Sequence, residues 1–205
     1  MAEKIKLTRP ELKRQRDALT RFERYLPMLK LKQQQLQMTM RQIERERQKA
    51  VKAEAEARRK FGSYKAVMND MAGINVADLA DFKEIKTSSS NVAGVAIPVF
   101  ESVVFPDAHY SLFGTPAWVD RALADLREAN KRRARLDILQ RQTDLLQKEL
   151  TKIVQRVNLF EKVKIPESRE NIRRIRIQLG DEMTSAVGRA KIAKNKLDEA
   201  EGQAG

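Results

Sequence analysis

The feature that most constrains this chain is a narrow apolar stripe repeated at coiled-coil spacing in two segments far apart in sequence. In the first, Leu12, Leu19, Phe22, Leu26, Leu29, Leu36, Met40, Ile43 and Ala50 follow steps of three, four and seven. Gln33 and Arg47 fill two seam positions, where polar residues discourage slipped registers. In the second, Leu139, Thr143, Leu146, Leu150, Ile153, Val157 and Phe160 alternate steps of four and three, and Ile172, Ile175, Leu179, Met183, Val187, Ala190 and Leu197 carry the pattern onward. Stripes this narrow suit one partner helix each and are too thin for a multi-helix core. Aromatics at 5% against 34% charged residues likewise disfavour a compact globule.

The expected fold is therefore mainly α. Residues 1–71 and 116–205 form two arms that pair as a long antiparallel two-helix coiled coil, and residues 72–115 form a small middle segment with a short β-hairpin. Thr8 and Glu11 have capping-box spacing with Pro10 in the first turn, so the first helix should start at Thr8. Pro27 removes one backbone hydrogen bond at a cost of about 3 kcal/mol and predicts a kink, since the stripe resumes directly after it. Ala53 and Ala57 would let a partner helix approach closely, and the helix is expected to persist to about Met71. Thr115-Pro116 repeats the start signal for the second long helix, and Pro166 interrupts it as a second kink. At 1.5 Å per residue the arms would span roughly 80 Å and roughly 125 Å, so the carboxyl-terminal helix either overhangs its partner or packs on the middle segment.

In that middle segment the run Ser88-Ser89-Ser90-Asn91, Gly94 and β-branched stretches such as Val103-Val104 read as short strands and turns, with one strand expected over 82–87, a turn around Asn91 to Gly94 and a return strand over 95–100. Pro98 places the return strand at an edge or bulge.

Charge is polarised along the chain. Residues 1–60 hold 18 Lys/Arg against 8 Asp/Glu, a net of +10; residues 61–117 hold 3 against 6, a net of −3; residues 118–205 hold 20 against 14, a net of +6. Basic arms suggest acidic partners, and the middle suggests a different one. The charge also raises two alternatives, a nucleic-acid-associated coiled coil and a peripheral membrane tether. The 22 acidic residues of the arms and the missing aromatic-interleaved basic patch weigh against the first. Use of the apolar stripe for helix pairing weighs against the second. The basic run Lys131-Arg132-Arg133 with Arg135 reads as a solvated helix face more readily than as a phosphate site.

Catalytic chemistry is not encoded in any recognisable form. No glycine is followed by lysine, so no phosphate-cradling loop of the G-x-x-x-x-G-K type occurs. With no cysteine and His109 as the single histidine, no thiolate or multi-histidine metal site can be built. His109 is expected in a loop beside Tyr110, and acidic pairs such as Glu44/Glu46 and Asp181/Glu182 on helix surfaces. Neither catalytic, cofactor-binding nor metal-binding residues are expected. Met1 to Thr8 lacks an apolar signal core, and the longest apolar stretch, Val92 to Phe100, is far short of the roughly 20 residues of a spanning helix.

Several stretches resemble the D subunit of the V/A-type rotary ATPases and ATP synthases. Arg156-Val157-Asn158-Leu159-Phe160-Glu161, then Ile165-Pro166, is similar to the family's R-V-N-x-x-E followed by I-P; Lys30, Lys32 and Leu36 are similar to its L-K-x-K-x-x-x-L. Leu7 to Leu12 and Gly114-Thr115-Pro116 add to the likeness. The resemblance implies a non-catalytic central-stalk rotor shaft that carries torque between the ATP-hydrolysing or ATP-synthesising ring and the membrane ion-translocating rotor. It implies as partners the catalytic and regulatory ring subunits (A and B), the F subunit and the socket subunit of the membrane rotor, in a hetero-oligomeric complex that is cytoplasmic and peripheral to the membrane. Nucleotide would bind to the ring and not to this chain. Lys30, Lys32, Arg156, Asn158, Glu161, Ile165 and Pro166 become possible rotor-stator contacts, and Leu19, Phe22, Leu26, Leu29, Leu36, Met40, Ile43, Leu146, Leu150, Ile153, Val157 and Phe160 the coiled-coil seam.

Overall fold

A computed structural model describes residues 5–62, 75–110 and 114–203, the last seven of these as backbone only. In chain order the elements are helix α1 (Arg9–Gly62), short helix α2 (Val76–Ala80), strands β1 (Glu84–Val92) and β2 (Val95–Val104), helix α3 (Trp118–Asn158), a π-helical turn (Leu159–Lys164) and helix α4 (Ile165–Gln203). The mainly helical fold with one antiparallel hairpin in the middle is as the sequence predicts. The expected persistence of α1 to Met71 falls outside the described residues. The chain divides into two compact units: Met1–Leu31 with Val154–Gly205, and Lys32–Ile153.

In the first unit the amino-terminal part of α1 lies antiparallel to the π turn and α4. Glu23 meets Arg169 and Lys30 meets Glu161, so partner numbers fall as α1 numbers rise. Thr8 occupies the cap position, its carbonyl accepting the Leu12 N–H at 3.0 Å, while the Glu11 carboxylate takes Gln15 Nε2 at 2.8 Å. The helix continues through Pro27. Leu12, Leu19, Phe22, Leu26 and Leu29 are half-buried, and they face Val157, Ile165, Ser168, Asn171, Ile172 and Ile175, which are buried. Val157 and Ile165 are eight residues apart, one more than a heptad, and the π turn between them takes up the extra residue. The interruption expected at Pro166 thus takes the form of a widened turn just before the proline.

Beyond Leu179 the seam expectation is corrected. Met183, Val187 and Ala190 are exposed, as is every residue from Gly180 to Lys196. The register pairing Glu23 with Arg169 brings the start of α1 level with about residue 183, so α4 continues after its partner has ended. Both layouts left open by arm length are found: α4 overhangs the start of α1, and the start of α3 packs on the middle segment. Leu197 lies where side chains are not described.

In the second unit α1 and α3 run antiparallel, with Lys32 beside Glu149 and the Ala53 carbonyl accepting from Arg132 Nη1 at 2.6 Å. Leu36, Ile43 and Ala57 are buried on α1; Ala134, Ile138, Leu139, Gln142, Leu146 and Ile153 are buried on α3. Of the small residues expected to face a partner, Ala57 is buried and Ala53 half-buried, and Ala134 is buried on α3. Met40 and Leu150 are half-buried. The α3 face is wider than one stripe because it has two neighbours, α1 and the hairpin, whose Pro98 carbonyl accepts a hydrogen bond from Gln142 Nε2.

The hairpin strands are longer than the spacing predicts. Ser88, Ser89 and Ser90 extend the first strand, pairing with Val99, Pro98 and Ile97 inside the ladder. The turn is the two residues Ala93 and Gly94, with φ of +50° and +82°, the positive values a tight two-residue hairpin requires. Asn91 Oδ1 accepts the Gly94 N–H at 2.8 Å and closes the turn where the sequence places it. A register shift at Lys86/Thr87 opposite Phe100 and Ser102 bulges the strand. Pro98 is tolerated because a two-stranded sheet has only edge strands.

A satellite core closes the rest of the middle segment. Val76 and Ala80 of α2 pack on Val119 and Leu123, with Leu79, Tyr110, Trp118 and Leu126 around them. The helix α3 begins at Trp118, with Pro116 supplying the carbonyl for the Val119 N–H, two residues later than the Thr115-Pro116 signal implies. His109 is exposed in the loop before Tyr110, as expected.

Replacing Leu36, which is fully buried, with alanine is expected to destabilise the chain by about 2–5 kcal/mol in urea denaturation. The same change at exposed Leu31 should cost under about 0.5 kcal/mol. Equal losses at the two positions would remove the seam assignment.

Candidate functional site

The candidate site is a surface: the matched motif positions and the charges around them. Among the described residues no group of three or more His, Asp or Glu side chains could hold a metal ion. Among them, too, no helix is long and apolar enough to cross a membrane.

Antiparallel pairing brings the two motif segments together. Lys30 Nζ donates to Glu161 Oε1 at 2.8 Å, with both side chains about half exposed. Phe22 and Phe160 stack with ring centroids 5.0 Å apart at 48°. Arg169 donates to Glu23 at 2.8 Å. Ile165 is buried in the seam and Pro166 is exposed one residue on. These residues therefore hold the two helices in register, whatever else they touch. An exposed pair contributes only about 0.2–1 kcal/mol, so their effect is to choose an alignment more than to stabilise it. Lys32 lies in the other unit, where Glu149 is shared between it at 3.7 Å and Lys152 at 3.5 Å. Arg156 and Asn158 stand exposed on the outer face and form no part of the cluster.

The spacing of charges along one helix makes a second group. Glu170 accepts two hydrogen bonds from Arg173 and one from Arg174, at 2.8, 2.9 and 3.0 Å. Those donors hold its carboxyl well below the usual range, at about 2; with Glu170 ionised, the two guanidinium groups still leave the trio net positive at neutral pH. Glu44 is lowered in the same way, chiefly by its hydrogen bond from Arg47.

Several anchoring residues give no signal along the sequence. The Arg127 guanidinium donates to the Leu79 carbonyl at 3.1 and 2.9 Å and to the Pro106 carbonyl, and lies 5.3 Å from the Phe105 ring centroid. Asn130 Nδ2 donates to the Ala80 carbonyl at 2.8 Å. Together they satisfy carbonyls at the end of α2 and tie the middle segment to α3. Of the basic run at 131–135, Arg132 is engaged by Glu128 at 2.9 Å and by the Ala53 carbonyl. Its role in the fold is thus to cross-brace the helices. Only the antiparallel register, which requires the fold, could have pointed to Glu149, Glu23 or Arg169 as partners.

Comparison with known proteins gives a consistent result. A family model for the ATP synthase D subunit matches residues 11–195. The chain is 40% identical over 194 residues to the V-type ATP synthase D subunit of Borreliella burgdorferi, covering 95% of each. It is 31% identical over 200 residues to the V-type ATP synthase D subunit of Chlamydia felis, covering 97% of this chain and 96% of that one.

The Glu170 cluster yields a pH prediction. A lowered folded value means its contribution to helix stability is complete above the ordinary carboxylate value near 4.5, declines as the pH falls, and is gone below about 2. Side-chain carboxyl NMR should show Glu170 titrating near 2, and Arg173→Gln with Arg174→Gln should return it toward the ordinary value. An ordinary titration in the unsubstituted chain would dissolve the cluster.

Proposed function

The chain belongs to the ATP synthase D-subunit family, and from that premise we propose that it is the central-stalk rotor shaft of a V-type ATP synthase or ATPase. As a V-type ATPase subunit it works inside a hetero-oligomeric rotary complex, and ATP chemistry is left to other subunits. Its own part is mechanical: it transmits torque between the ring of A and B subunits and the ion-translocating rotor in the membrane. The F subunit and the socket of the membrane rotor are its further partners, and it reaches the membrane only through the complex.

The observation that carries this reading is the distant segments' antiparallel pairing, locked by cross-helix pairs at both Lys30–Glu161 and Lys32–Glu149. A shaft must resist being twisted while presenting its outer face to surroundings that change at every step. Two helices that satisfy each other's apolar stripes meet the first need. A surface dominated by charge meets the second, since exposed charged contacts are weak and form and release readily. The exposed end of α4, past the start of α1, is single-helical and suits a sleeve that grips it from all sides.

The motif positions Lys30, Lys32, Glu161 and Ile165 support the role as register and seam residues, and Arg156, Asn158 and Pro166, all exposed, are the ones best placed for rotor-stator contact. The hairpin and α2 are the proposed surface for the F subunit, being the mildly acidic part of a basic chain.

Two experiments test the proposal. Leu150→Pro breaks α3 in the middle of the seam at a local cost of about 3 kcal/mol; reconstituted complex carrying it should still hydrolyse ATP while ion pumping is lost. Survival of coupled pumping would sink the torque role. Deleting residues 82–104 should leave most helicity intact in circular dichroism and weaken capture of the F subunit, and undiminished capture would reject that interface.

A further inference from the structure

Both helices of the first unit are weakened at the same level. Pro27 has no N–H, so the Glu23 carbonyl lacks its usual partner four residues on in α1. Opposite it, the π turn Leu159–Lys164 is bonded i to i+5, as the Ile165 N–H to the Phe160 carbonyl shows. The next bond of that pattern would run from residue 166 to the Glu161 carbonyl, and Pro166 has no N–H to make it. The cross-helix pairs Glu23–Arg169 and Lys30–Glu161 bracket Pro27 on one helix and the end of the π turn with Pro166 on the other. An interrupted helix is normally splinted by an intact neighbour. Here neither helix splints the other.

We propose that residues 23–30 of α1 and 159–169 of the opposing helix form a bending joint within the first unit, latched by the Glu23–Arg169 and Lys30–Glu161 ion pairs and the Phe22–Phe160 ring contact. The residues whose backbone carbonyls lose a partner, Glu23 and Glu161, are the same two whose carboxylates cross to the other helix. Each latch therefore starts from the weakest peptide on its helix. Opening the joint lengthens two exposed ion pairs, slides one pair of rings and loosens the two buried side chains within it, Ile165 and Ser168. The seam on either side, with Val157 and Ile175 buried, stays closed. The joint is a property of this chain by itself and does not depend on the rotor assignment.

Amide hydrogen exchange on the full chain tests it. Peptides covering 19–30 and 158–169 should exchange about tenfold faster than those covering 36–47 and 142–153, reflecting local openings. Pro27→Ala restores a donor to the Glu23 carbonyl and should slow exchange on both sides of the joint. Glu23→Gln with Glu161→Gln keeps the shape and removes the latch charges, and should speed it about two- to fivefold per pair. Circular dichroism confirms that each variant is folded. Uniform protection along both helices, or a Pro27→Ala variant with unchanged exchange, overturns the joint.

Discussion

The structure depends on a shared strip of apolar surface that neither arm can bury alone. Leu36, Leu146, Ile153 and Ile175 are almost wholly removed from water only because a second helix, distant in sequence, lies along each stripe. Each such side chain contributes about 1.5–3 kcal/mol on burial, several times what an exposed ion pair gives. Direction and register then follow from lesser terms. Antiparallel pairing sets Lys30 against Glu161 and Glu23 against Arg169, opposite charges in both cases. Alignments that bury similar stripes differ in which charges meet, so weak pairs such as these help choose among them.

Polar side chains attach the middle segment to this frame. Gln142, Arg127 and Asn130 each donate to a backbone carbonyl of the middle segment, at Pro98, Leu79 and Pro106, and Ala80. Carbonyls at helix ends and in loops need partners when water is excluded, so long donors on α3 both fill that need and fix the hairpin and α2 in place. The same arrangement leaves the outer surfaces of the arms charged and largely uncommitted. A chain built this way has its chemistry in its mechanics, and its membership of the D-subunit family gives those mechanics a setting.

The arms were legible in the sequence because period and length speak directly to a two-helix seam, and Leu36, Ile43, Leu146, Ile153 and Val157 are buried where the stripe places them. Periodicity reports a helix's own apolar face and is silent on whether a partner is present. Met183 and Val187 therefore continue the pattern yet lie exposed once α1 has ended. The turn at Asn91 to Gly94 was legible from its residues, whereas the extension of the first strand through 88–90 was not, because it depends on pairing with Ile97, Pro98 and Val99. The step of eight from Val157 to Ile165 was visible and is the trace of the π turn. Arg127 and Asn130 left no trace, since a donor aimed at a carbonyl some fifty residues earlier has no local signature.

The central claim, that the two arms fold back and pair in this register, is tested most directly by zero-length carbodiimide crosslinking, which joins a lysine to a carboxylate only when they touch. The structure requires links between Lys30 and Glu161, at 2.8 Å, and between Lys32 and Glu149, at 3.7 Å, formed within single chains of a mixed isotope-labelled sample. Absence of both links, or their appearance only between differently labelled chains, would contradict the account.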